Sequence, residues 1–70
     1  MKAEEIRRLS DPELLSRLMD AREELMRLRF QFATGELTDH TRLKANRRLI
    51  ARFLTILHER DLEALEEVEK

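Results

Sequence analysis

Seventy residues with 41% charged side chains, one glycine, one proline and no cysteine allow one small domain. They exclude disulfides and thiolate metal sites, and they match the composition of long helices or coiled coils. The net charge of −1 hides a division, because residues 1–58 carry twelve Lys/Arg against nine Asp/Glu while residues 59–70 carry two against six.

A chain of this length buries only about 60% of its unfolded surface, so a thin core and dependence on a partner are expected. No apolar run approaches the roughly 18 residues of a membrane span. The opening "MKAEEIRR" has acids where a secretory signal would be apolar. The expectation is a cytoplasmic, unprocessed chain with no membrane span.

In chain order, "KAEEIRR" predicts one or two helical turns, ended by "LSDPE". Ser10 or Asp11 is the next N-cap, and Pro12 suits the first turn because its missing N–H would be unpaired there. Leu14, Leu18, Ala21, Leu25, Leu28 and Phe32 then recur in alternating steps of four and three, a heptad seam. Gly35 ends this helix, since it reaches positive φ at low cost. "GELTDHT" is a short polar connector in which Thr38 or Asp39 offers the following N-cap. In the second helix Leu43, Ile50, Leu54 and Leu57 form the expected seam, which Asp61 interrupts before Ala64, Leu65 and Val68. A connector this short implies antiparallel neighbours. The predicted fold is all-α: a short N-terminal helical turn and a long antiparallel two-helix hairpin. Its helices run over about 12–34 and 39–67, in one domain spanning 1–70 with an acidic end at 59–70. The acids oppose the helix dipole there, so fraying of the last turns is expected.

The segment from Arg27 to Phe53 holds all three phenylalanines, the only glycine and seven of the fourteen basic residues. Lys44, Arg48 and Arg52, spaced i, i+4, i+8, fall within about 80° of arc opposite the expected seam, with Arg47 at the seam's edge. A solvated face normally alternates sign for i,i+4 pairing. From Arg42 to His58 there are four Arg, one Lys and no acid. Regularly spaced guanidinium forks suit phosphate oxygens, which points to a nucleic-acid contact, joined by Arg27 and Arg29 from the end of the first helix.

A second apolar set on the first helix, Leu15, Met19, Met26, Phe30 and Ala33, lies about 100–160° from the seam. The N-terminal turn is expected to cover Leu15 and Met19 with Ile6 and Leu9, leaving Met26 and Phe30 without an internal partner. Leu49, Phe53 and Ile56 lie to one side of the second helix's expected seam. Met26, Phe30, Leu49, Phe53 and Ile56 are therefore the candidate protein-contact residues. Catalysis finds little support, since one glycine cannot make a phosphate loop and there is no Cys or Tyr. His40 and His58 stand eighteen apart without a carboxylate cluster, so neither a metal nor another cofactor is expected.

"LRFQFATGEL" followed by "RLKANRRLIARFLTIL" resembles the bacterial large-subunit ribosomal proteins of the L-twenty-nine family. The likeness extends from "MKAEEIRRLSDPELL" through "EELMRLRFQFATGEL" to "RRLIARFLTILHER", nearly the whole chain. It implies a small helical hairpin that binds large-subunit ribosomal RNA near the polypeptide exit tunnel. It also implies a neighbour from the L-twenty-three family and docking of trigger factor and the signal recognition particle. Carried onto matching positions, Arg29, Gln31, Thr34 and Gly35 of the central segment and Arg47, Arg48 and Arg52 of the signature become RNA-facing or turn-forming residues. Lys44 joins them from the helical wheel alone. Three residues depart from the family pattern: Asn46 replaces a small or aliphatic residue, Phe53 an aliphatic one, and Glu36 a frequent Gln. The acidic extension after Arg60 is also longer than the family's. Two other classes fit less of the chain. A coiled-coil adaptor or homodimer would use the seam and the spare apolar faces. A helical Arg-rich enzyme similar to small chorismate mutases would need a longer first helix and a third helix, which seventy residues do not supply.

Overall fold

The computed structural model describes residues 1–37 and 39–69, with the backbone alone for Glu69. Three helices follow in order: α1 (Ala3–Arg7), α2 (Asp11–Ala33) and α3 (Thr41–Glu69). Among the described residues there is no strand, and the all-α expectation holds. Asp11 meets Arg60 while Glu24 meets Arg42, so α2 and α3 run antiparallel. The molecule is a rod measuring 53 × 18 × 17 Å.

Local chemistry sets the helix ends. The Glu13 amide donates to Ser10 Oγ at 3.3 Å, with Pro12 in the first turn, so Ser10 rather than Asp11 caps α2. Gly35 closes α2 at φ 82°, a conformation costly for any residue with a Cβ. At the start of α3 the Thr41 amide and hydroxyl both donate to Asp39 Oδ1, at 2.9 and 2.8 Å. The other cap candidate, Thr38, lies outside the described residues.

The core departs from the expected seam on one side. On α2 the heptad reading holds from Leu14 to Leu28, with Leu14, Leu18, Ala21 and Leu28 buried and Leu25 half-buried, but its last member, Phe32, is 43% exposed because it lies at the end of α2 beside the turn. On α3 the buried residues are Leu43, Phe53 and Ile56, while Leu54, expected in the seam, is 42% exposed against 1% for Phe53. The core-facing direction of α3 is turned by about 65° from the line through Leu43, Ile50, Leu54 and Leu57, so Ile50 and Leu57 stay half-buried at the edge of the cluster while Leu54 leaves it. The reason is α1. It packs on α3, and its Ile6, fully buried, joins Leu14, Leu18, Ala21, Phe53 and Ile56 in one cluster. A helix that must cover two neighbours buries a wider arc than a hairpin seam needs, and the residues between those neighbours go deepest. The same docking corrects the expected cover for Leu15 and Met19. Ile6 enters the hairpin core instead, leaving those residues 49% and 64% exposed.

Arg60 fixes this arrangement. Its guanidinium donates to the Leu9 carbonyl at 2.7 Å, the Arg7 carbonyl at 3.3 Å and the Asp11 carboxylate. The open carbonyls at the end of α1 and the start of α2 are thus held to α3 by one planar fork. Arg7 adds an ion pair with Glu59 at 3.3 Å. Beyond Arg60, α3 continues as helix to Glu69, and Asp61–Val68 are all exposed.

Candidate nucleic-acid interface

The turn places its polar atoms through local bonds. Thr34 Oγ1 donates to the carbonyls of Phe30 and Gln31 at 3.1 and 3.2 Å, and the Leu37 amide reaches the Gln31 carbonyl at 3.0 Å. Thr34 and Gly35 are exposed and Gln31 half-buried. The Phe32 ring meets the His40 imidazole, with centroids 4.7 Å apart and planes tilted by 59°, so the two sides of the turn are in contact. The Asp39 carboxyl sits below the usual carboxylate range. The Thr41 amide is the main cause and the Thr41 hydroxyl the second, because both hydrogen bonds favour the anion.

All four α3 cations of the expected stripe, Lys44, Arg47, Arg48 and Arg52, are exposed. The ion pairs of the fold engage other arginines. Glu24 holds Arg27 at 2.7 Å and Arg42 at 3.5 Å, Glu59 holds Arg7, and Asp11 holds Arg60. Among the described residues, Arg29, Lys44, Arg47 and Arg48 have no carboxylate partner. Arg52 makes one bond, donating to the Met1 carbonyl at 3.1 Å. The α3 helix therefore presents positive heads that no acid among the described residues neutralises.

The structure brings some of these residues together and separates others. Arg42, Arg48 and Arg52 rim an open groove of about 490 Å³ between α2 and α3, with Met1, Glu24 and Asn46 in its wall. The Asn46 Oδ1 atom is buried without a hydrogen-bond partner. Arg29 and Arg47 lie on the opposite side of the hairpin plane, about 60° and 120° round from the core-facing directions of their helices. Arg47 is thus on an outward face rather than at the seam's edge, because the core of α3 has turned away from it. The basic surface wraps the turn end of the rod and is not a single strip.

The candidate protein-contact residues divide in the same way. Met26 and Phe30 are 72% and 67% exposed and continue the line of Leu15 and Met19 along α2. Phe53 and Ile56 belong to the core at 1% and 3% exposure, and Leu49 packs half-buried against it. These three are engaged within the fold because α1 draws that side of α3 inward. Sequence reasoning missed Arg42, Asn46 and Met1 as members of the groove. No local signal marks them, since they meet only when α2 and the N-terminus are laid against α3.

A model of the family described as "Ribosomal L29 protein" matches residues 4–60, so its match ends at the clamp residue Arg60. The chain is 57% identical over 61 residues to the large ribosomal subunit protein uL29 of Streptomyces avermitilis, covering 87% of this chain and 82% of the relative. It is 53% identical over 62 residues to the protein of that name from Pelotomaculum thermopropionicum, covering 89% and 92%. A Mycobacterium relative (strain KMS), also named uL29, is 53% identical over 58 residues, covering 83% and 75%.

Proposed function

Since the chain belongs to the ribosomal L29 protein family, we propose that it is a structural constituent of the large ribosomal subunit, held there by ribosomal RNA. The observation that carries the RNA contact is the unneutralised half of α3. Lys44, Arg47, Arg48 and Arg52 are exposed, and the segment from Arg42 to His58 contains no acid. Their heads grip phosphate oxygens, with Arg29, Gln31, Thr34 and Gly35 meeting RNA at the turn. Because an A-form helix hides its base edges in a narrow major groove, recognition is of shape and backbone. The protein has no catalytic step in this reading.

Its place is the cytoplasmic ribosome, near the exit of the polypeptide tunnel beside an L-twenty-three family protein. The exposed line of Leu15, Met19, Met26 and Phe30 supports a protein neighbour, since a contiguous apolar stripe on one helix is costly to leave in water. Trigger factor and the signal recognition particle dock at the same end of the subunit. Among the described residues no helix is long and apolar enough to cross a membrane.

Changing Arg47, Arg48 and Arg52 together to Gln tests the RNA contact. Affinity for large-subunit RNA falls, and the log–log salt slope, about −3.5 to −4.5 for five phosphate contacts, becomes shallower by about 2 to 3. The circular dichroism of the hairpin stays unchanged, because none of the three side chains is in the core. Unaltered affinity and slope would remove these arginines from the interface.

A further inference from the structure

The far end of α3 carries features that the RNA contact does not use. Asp61–Val68 extend past the level of Arg60, where α1 and the start of α2 are fastened. Leu62 is 48% and Leu65 55% exposed, so part of this acidic end is apolar and uncovered. Its Glu66 cannot reach the basic half of its own helix. Arg48 and Glu66 belong to one continuous helix and stand about 27 Å apart at 1.5 Å per residue.

We propose that the outer face of α3 pairs antiparallel with the same face of a second copy of this chain, the acidic end of each helix lying against the basic half of the other. The register follows from helix geometry. At 100° per residue Ala51, His58 and Leu62 lie within about 40° of one another on the side away from the core. Leu54 and Leu65 flank them on one edge. Arg48 and Glu66 share one direction on the other edge.

A two-fold axis passing α3 near Leu57 sets Arg48 of each copy opposite Glu66 of the other. They meet on the same edge because residues equally displaced from such an axis keep the same angular offset. Arg52 falls opposite Glu63 further round. Between these ion pairs Ala51 covers Leu62, and Leu54 and Leu65 lose part of their exposure. The parallel arrangement would set Arg48 against Arg48 and Glu66 against Glu66, so charge selects the antiparallel one. With so few apolar residues the contact is smaller than the roughly 1,200 Å² of stable complexes, and it is weak and salt-dependent. It occupies Arg48, so self-pairing and RNA binding exclude each other, and the free chain covers part of its own basic surface.

Sedimentation equilibrium on the purified full chain tests this. At low salt the mass rises with concentration from one chain towards two, and at about 0.5 M salt it stays at one. Glu63→Arg with Glu66→Arg gives a monomer, as does Arg48→Glu with Arg52→Glu, while the chain carrying all four changes pairs again. The Glu63→Arg, Glu66→Arg variant keeps its RNA binding, which separates this surface from the RNA contact. Circular dichroism confirms that each variant keeps its helices. A monomer at every concentration up to about 1 mM overturns the proposal, because a contact weaker than that is not a specific one. So does a dimer indifferent to both charge pairs, or a fourfold variant that fails to pair.

Discussion

Replacing Phe53 with Ala separates the core face that tertiary packing selects from the seam that spacing suggests. Phe53 is 1% exposed and the largest of the fully buried side chains, packed in one cluster with Ile6, Leu14, Leu18, Ala21 and Ile56. Truncating a buried Phe costs about 3–5 kcal/mol, from the transfer term and the cavity left behind. At roughly 0.05–0.15 kcal/mol per residue, a 70-residue chain has a total stability of about 3.5–10 kcal/mol. The loss is therefore about 30% of the stability or more, and the variant is unfolded where the total lies at the low end. Leu54, one residue along and 42% exposed, supplies the control. Its truncation leaves no closed cavity and costs about 1 kcal/mol, less than the 2–5 of a fully buried Leu. Urea unfolding followed by circular dichroism at 222 nm measures both variants against the parent. With about 4–8 °C in Tm per kcal/mol for a domain this small, thermal melts separate them by at least 8 °C. A Leu54→Ala loss equal to or larger than that of Phe53→Ala would refute the turned core face and restore the seam through Leu43, Ile50 and Leu54.

Three further outcomes rest on separate parts of the fold. Arg60→Ala frees the Leu9 and Arg7 carbonyls and the Asp11 carboxylate together, lowering stability by about 1–3 kcal/mol, and hydrogen exchange rises first in α1. Unchanged protection of the Ile6 amide would deny Arg60 that role. Gly35→Ala costs about 1 kcal/mol from its φ of 82° alone, since an added Cβ meets nothing within 4 Å. A neutral change in the unfolding midpoint would show that the turn relaxes. Asp39 has a folded-state pKa below its unfolded value, so its contribution is present above the unfolded pKa and lost as pH falls through the folded one. An NMR titration of its carboxyl carbon finds the depressed midpoint, and Thr41→Val raises it. A midpoint at the ordinary Asp value would contradict the cap.

Much of the fold is legible in local chemistry. The step of Ser10 and Pro12 into α2, the heptad from Leu14 to Leu28, and Gly35 at its end depend on residues within a turn or two of each other. Propensity, capping and positive φ act at that range, so the sequence alone determines two long helices, a tight polar connector and hence an antiparallel hairpin. The concentration of cations between Arg42 and Arg52 is likewise a property of the sequence, and the structure leaves Lys44, Arg47 and Arg48 as exposed as their charge predicts. The match to the family model, over residues 4–60, includes these same residues.

What the sequence could not decide is which side of α3 faces inward. Leu54 and Phe53 are neighbours of equal apolar character, and a 100° step between them chooses one for the core and the other for water. That choice was made by α1, through Ile6 in the core and through Arg60, whose partners lie about fifty positions away in the chain. The same turn moved Arg47 outward, drew Phe53 and Ile56 away from any docking face, and left Leu15 and Met19 in the open. Periodicity measures how apolar residues are spaced along one helix. The direction in which a helix is buried depends on where its neighbours stand, and only the folded chain sets their positions.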